Sequence, residues 1–138
     1  MDERKLSDPA SPSSPRPRIG PARSFYFAFV GLFYLFRTQR NARIELVIGL
    51  VVCAFAWWLK VSRVEWAILV VTIAMVLILE GLNTALEAVV DLASPEIHPL
   101  AKVAKDVTAG MVLIAAIASI VVGLLILGPP LVARATSP

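Results

Sequence analysis

Charge is scarce in this sequence. Of its 138 residues only 17% are Asp, Glu, Lys or Arg, while 58% are hydrophobic, a balance too apolar for an ordinary soluble domain of this length. The mean hydropathy of +0.79 points the same way. So short a chain cannot bury that much apolar surface in its own core, and lipid or neighbouring subunits must cover the remainder. Cysteine is nearly missing. Cys53 stands alone in an apolar run, which excludes an intrachain disulfide and leaves it as a packing residue. Aromatic residues amount to 8% and are not interleaved with the basic ones, so the net charge of +3 does not describe a nucleic-acid surface; the basic residues gather near the ends of apolar runs instead. Neither a GxxxxGKS/T nor a GxGxxG loop occurs, which excludes the nucleotide sites built on those turns.

What is present reads as one all-α integral membrane domain. Residues 1–23 are rich in Pro, Ser and Arg, cannot offset the entropy cost of ordering, and are expected to form a disordered tail. No secretory signal is expected, because the first apolar run starts only at Phe25 and no small-residue cleavage site follows it before Arg37. The membrane domain is expected over residues 24–128. Its first element, 24–36, is dense in Phe, Tyr and Leu, but the twelve residues from Phe25 give only ~18 Å of helix, too short for ~30 Å of hydrocarbon. An amphipathic surface helix fits better. Three crossings come next, at about 44–60, 64–92 and 99–128, with Trp57, Trp58 and Lys60 as an interfacial anchor. Pro99 suits the first turn of the last helix. Gly128-Pro129-Pro130 is expected to stop it, leaving 129–138 as a tail.

The second crossing carries the informative pattern. After the uninterrupted apolar run Trp66 to Leu79 come Glu80, Asn83, Glu87 and Asp91, which at 100° per residue fall within roughly 80° of one another on a helix. They make one polar stripe ~16 Å long, reaching from inside the hydrocarbon toward its boundary. Acidic groups at such depth usually face a cavity or a partner and mark a functional site. Arg16, Arg18, Arg23, Arg37, Arg40 and Arg43 precede the first crossing and Lys102 and Lys105 precede the third, so the N-terminus and the connection over 93–106 are expected to be cytoplasmic. Glu45, Glu87, Asp91, Glu96, Lys105 and Asp106 then share one face of the membrane. Several carboxylates with a lysine at that boundary suit phosphoryl transfer to a lipid: carboxylates hold magnesium, and the lysine adds a point charge on the phosphates. A deeper carboxylate, Glu80, is placed to take the proton of a lipid hydroxyl.

The run Glu80-x-x-Asn83-Thr84-Ala-Leu-Glu87-x-x-x-Asp91, then Glu96-x-His98-Pro99-Leu-Ala-Lys102-x-Ala-Lys105-Asp106, closely resembles the prokaryotic diacylglycerol kinase family, which includes the undecaprenol kinases. The resemblance covers about residues 25–128. It implies a homotrimeric bundle of three membrane helices and a surface helix per chain, in a bacterial inner (cytoplasmic) membrane, with ATP as co-substrate, Mg2+ as cofactor and a lipid alcohol, diacylglycerol or undecaprenol, as acceptor. It further implies Glu80 as catalytic base with Asn83 beside it, Glu45 and Glu87 as metal ligands that also meet the nucleotide, and Asp91, Glu96, Ile97, His98, Lys105 and Asp106 around the nucleotide. His98-Pro99-Leu-Ala-Lys102 and the spacing from Gly31 to Glu45 look like the undecaprenol branch, whereas Glu45 itself looks like the diacylglycerol branch. Phe27 departs from the Tyr many relatives carry. A reading from another class is a small proton-coupled transport protein using Glu80. It would need a carboxylate reachable from both sides of the membrane, whereas this chain gathers its charges at one face.

Overall fold

The computed structural model describes residues 20–94 and 98–136. The bulk of the expected disordered tail, up to residue 19, and the expected nucleotide contacts Glu96 and Ile97 lie outside the described residues. Four helices account for nearly all of what is described: α1 (Pro21–Thr38), α2 (Arg40–Leu59), α3 (Arg63–Ala93) and α4 (Pro99–Thr136), with no strand among the described residues. Helices α2, α3 and α4 are long and apolar enough to cross a membrane, at about 30, 46 and 57 Å respectively.

The chain divides into two units, one ending at Gly31 and the other beginning at Leu32. In the first, the helix starts at Pro21, inside the stretch expected to be tail, because proline at the first helical position loses only an amide that has no partner there. The Gly20 carbonyl takes the amides of Arg23 and Ser24. Arg23 lies over the Phe27 ring, and Tyr26 meets Phe27 edge-on.

In the second unit α3 packs against both α2 and α4. The buried core is small. Ala56, Leu69 and Ile126, one from each helix, form its centre, and Val52, Val61, Trp66, Val122 and Leu127 surround them. Most other large apolar side chains on these helices, Val70, Val71, Ile78, Leu113 and Leu124 among them, stay exposed, as a surface meant for lipid or another subunit would. Close approach of α2 to α3 depends on Gly49: a Cβ there would come 2.9 Å from Cγ2 of Ile73. At the other end of α3, Leu35 is buried and its Cδ2 lies 3.6 Å from where Gly81 would carry a Cβ.

Both ends of the short α2–α3 turn are capped. The Lys60 amide reaches the Trp57 carbonyl and the Val61 amide reaches that of Ala56, both at 3.2 Å, while Val61 packs on the same cluster as Ala56; this is a Schellman stop. Lys60 occupies the left-handed region, with φ of 56°, a conformation costing a non-glycine residue about 1 kcal/mol. Ser62 then opens α3 with a capping box, its Oγ accepting from the Glu65 amide and the Glu65 carboxylate accepting from its own amide.

Helix boundaries differ from expectation in two places. Only Gln39 separates α1 from α2, so the basic stretch 37–43 is almost wholly helical. More substantially, α4 does not stop at Gly128 but runs through Pro129 and Pro130 to Thr136. The two prolines remove only the amides that would reach the Leu125 and Ile126 carbonyls, a loss confined to one turn. Beyond them Arg134 fastens the helix to α2, donating from Nη1 to the Trp58 carbonyl at 3.1 Å and placing its guanidinium 4.7 Å from the Trp58 ring centre.

Because the α2–α3 contact leaves no room for a side chain at position 49, Gly49→Leu is expected to destabilise the fold by about 1–3 kcal/mol, the usual cost of overpacking. The thermal midpoint in mild detergent should fall, and Ile73→Ala in the same chain should restore part of it. An unchanged midpoint for Gly49→Leu would show that the two helices do not meet there.

Candidate active site

The polar stripe forms as its spacing requires, because α3 is regular from Arg63 to Ala93. Glu80 is its deepest member, only 2% exposed, and its backbone carbonyl accepts from Thr84 Oγ1 at 3.0 Å. One turn on, Asn83 Nδ2 donates to Glu87 Oε1 at 3.2 Å. That bond fixes the amide so that Asn83 Oδ1 is left buried without a partner. From α2 comes Glu45, whose Oε2 is also buried and unpartnered. Glu80 lies within electrostatic reach of both Glu45 and Glu87. The structure therefore gathers Glu45, Glu80, Asn83 and Glu87 into one cluster that is rich in oxygen and lacks a basic partner among the described residues.

The other expected site residues that are described, Asp91, His98, Lys105 and Asp106, make contacts of their own toward the α3–α4 end. Lys105 of α4 pairs with Asp91 at the end of α3, across the two helices. Asp106, its sequence neighbour, pairs instead with Lys102 one turn back, at 2.9 Å on an exposed face. Consecutive helical side chains point about 100° apart, so Lys105 and Asp106 cannot share one partner, whereas positions 102 and 106 are neighbours. That i, i+4 spacing was visible in the sequence, and it assigns Lys102 more than a topological role. His98 accepts the Leu100 amide on Nδ1 at 3.2 Å and so caps α4 just ahead of Pro99, which occupies the first helical position as expected.

Among the described residues no group of three or more His, Cys, Asp or Glu is drawn close enough to hold a metal ion. The donor chemistry nevertheless suits a hard cation. Every free acceptor in the cluster is a carboxylate or amide oxygen, the ligand type of magnesium, and two of them are buried with nothing bound to them. Such atoms cost about 1–3 kcal/mol each when left unpaired.

A hollow of about 400 Å3 opens between α2, α3 and α4. Glu45 is its single charged lining residue; Thr72 and Ser119 also line it, their hydroxyls bonded within their own helices, and the rest, Val52, Leu69 and Leu131 among them, is apolar. No sequence pattern announced it, since it depends on where small residues of different helices face one another. The cluster thus stands beside an apolar cleft, and a molecule with a polar end and a hydrocarbon body would match both parts.

Comparison with known proteins places this arrangement. The family model described as prokaryotic diacylglycerol kinase matches residues 26–127. A diacylglycerol kinase from Synechocystis sp. is 50% identical over 109 residues, covering 78% of this chain and 62% of that relative's length. An undecaprenol kinase from Bacillus subtilis is 39% identical over 109 residues, covering 79% and 89% of the two chains, and a diacylglycerol kinase from Escherichia coli K12 is 35% identical over 95 residues, covering 69% and 78%. The match takes in the whole cluster from Glu45 to Glu87, the ion pairs at the α3–α4 end and nearly all of the cleft; the chain belongs to the prokaryotic diacylglycerol kinase family.

Proposed function

We propose that the chain is a lipid kinase, transferring the γ-phosphoryl group of ATP to the hydroxyl of a membrane lipid alcohol, with magnesium as cofactor. The observation that carries this reading is the near-complete burial of Glu80 beside two acceptor oxygens that nothing satisfies. The names of the relatives, diacylglycerol kinase and undecaprenol kinase, support the same chemistry and divide over the alcohol. Transport through the membrane has no support: the charged pairs gather at the α3–α4 end, and the relatives compared are kinases by name.

In this reading Glu80 accepts the proton of the lipid hydroxyl as its oxygen bonds to the γ-phosphorus and the bond to the β-phosphate oxygen breaks, giving the lipid phosphate and ADP. Asn83, held by Glu87, positions the hydroxyl with its free Oδ1 side. Glu45 and Glu87 would hold the metal, which when bound supplies positive charge against the phosphates. Glu45 contributes a free oxygen, whereas Glu87 has one oxygen engaged by Asn83 and one to give. Lys105 would exchange Asp91 for phosphate oxygens when the nucleotide arrives, leaving Asp91 to meet it as well. Glu96, Ile97, His98 and Asp106 complete the nucleotide side, with His98 also ordering the first turn of α4.

The three apolar helices and the prokaryotic family make this a bacterial membrane protein. The N-terminus and the α3–α4 connection face the cytoplasm in our reading, where ATP is found. A homotrimer is proposed as the working form, because the exposed apolar faces of α2, α3 and α4 and the open side of the acidic cluster need more protein around them than one chain supplies.

Removing the charge of Glu80 while keeping its shape tests the base. Glu80→Gln is expected to lower phosphoryl transfer by at least about 100-fold, within the range for a general base, while insertion and assembly stay normal. A folded variant with near-normal turnover would reject the assignment.

Glu87→Gln is expected to raise the magnesium concentration needed for half-maximal activity, or to abolish activity. The check is a magnesium titration at saturating ATP. Superimposable curves for the variant and the unmutated protein would remove Glu87 from the ligand set.

A further inference from the structure

The last two turns of α4 lie past the residues shared with the family, since that match ends at residue 127 while the helix continues to Thr136. They are nonetheless built into the fold. Arg134 both stacks on Trp58 and hydrogen-bonds its carbonyl, and Trp58 is braced edge-on by Phe55 at 6.2 Å. Gly128 and Leu131, on either side of the proline pair, are the last α4 residues to line the cleft, and Arg134 follows one helical turn beyond Leu131. Glu45 stands toward the opposite end, beside the acidic cluster.

The dimensions decide what the cleft can take. From Ala116 to Leu131 its α4 wall runs about 22 Å, so 400 Å3 spread along that length leaves a cross-section of roughly 20 Å2, suited to one hydrocarbon chain. Resting on the lipid-kinase reading, we infer that the cleft seats one chain of the lipid alcohol and that Arg134, clamped on Trp58, is a specificity-determining residue that closes its far end and limits chain length. Pro129 and Pro130 remove two backbone hydrogen bonds just before this contact, and Arg134 ties the segment beyond them to α2.

The experiment compares kcat/KM for dioctanoylglycerol, shorter than the cleft, and dierucoylglycerol, longer than it, in one mixed-micelle system with the full-length protein. Arg134→Ala is expected to raise the long-to-short ratio, by about fourfold for each further methylene that becomes seated. Arg134→Lys, which keeps the charge but loses the planar stacked fork, should give an intermediate ratio. Gly123→Phe, in the middle of the cleft, where a Cβ meets nothing within 4 Å, tests the seat itself and should raise KM for both lipids with KM for ATP unchanged.

If Gly123→Phe acts as expected but Arg134→Ala moves both lipids alike or neither, the length limit is overturned while the kinase reading stands. A fold merely loosened at its C-terminus would produce that same equal change. Gly123→Phe that leaves lipid KM untouched and lowers the oligomer mass would give the cleft to a second copy of the chain and overturn the seat. Failure of the unmutated protein to phosphorylate either lipid would overturn the kinase reading itself, and would show in the first assay.

Discussion

The arrangement of the helices around the site turns on one constraint: carboxylates have been taken out of water without a basic side chain to answer them. A buried unpaired charge costs several kcal/mol even after relaxation, and Glu80 is buried with Glu45 and Glu87 near enough to repel it. A structure can hold such a group only if neighbouring elements enclose it and something polar arrives to use it. Enclosure is supplied by buried neighbours: Ala42 is fully buried at the start of α2, and Leu35 is buried against α3 at Gly81, directly beside Glu80. The unpartnered oxygens of Glu45 and Asn83 are then the complement of a ligand, since a purely structural polar cluster would have satisfied its own members.

Stability and chemistry occupy different ends of the bundle. The packed centre of Ala56, Leu69 and Ile126 lies next to the α2–α3 turn, which is closed by a Schellman stop on one side and a capping box on the other. The acidic cluster and the exposed Asp91–Lys105 pair, which joins α3 to α4, belong to the other half. Exposed ion pairs contribute little, about 0–1 kcal/mol. That weakness suits a nucleotide site, because a lysine that must leave its carboxylate for a phosphate should not be bound tightly to it.

Much of this could be read from residue order alone, and the parts that could not share a cause. The stripe Glu80, Asn83, Glu87, Asp91 was legible because it needs only the helical period. The Pro99 start was legible for a similar local reason. Glu45 was joined to the stripe by family resemblance and not by pattern, since its approach to Glu80 depends on Gly49 meeting Ile73, a contact with no local signature. Lys105 pairs with Asp91 fourteen residues away, a contact between two helices that no local spacing announces. The proline pair was read by the rule for helices in water, where freed carbonyls and a bend favour stopping. Here α4 continues because α2 holds its last turns through Arg134, and membrane helices tolerate proline where a neighbouring helix gives such support.

The same point bears on how a chain with so few polar groups can discriminate among lipids. Apolar walls grade their ligands weakly, because each methylene adds about 0.8 kcal/mol wherever it finds a surface, and an open groove imposes no upper limit. Discrimination by length requires an end. In this protein the cleft lies among helices whose other faces are free for lipid, so an end can be made only where two helices are fastened across the opening. The Arg134–Trp58 contact is such a fastening, and it uses interactions that do not depend on hydrocarbon: a charged donor on a carbonyl and a guanidinium on an aromatic face. Aromatic and basic side chains placed where a membrane helix leaves the hydrocarbon are ordinarily interfacial anchors; joined just past the end of a cleft, they are placed to limit its length as well.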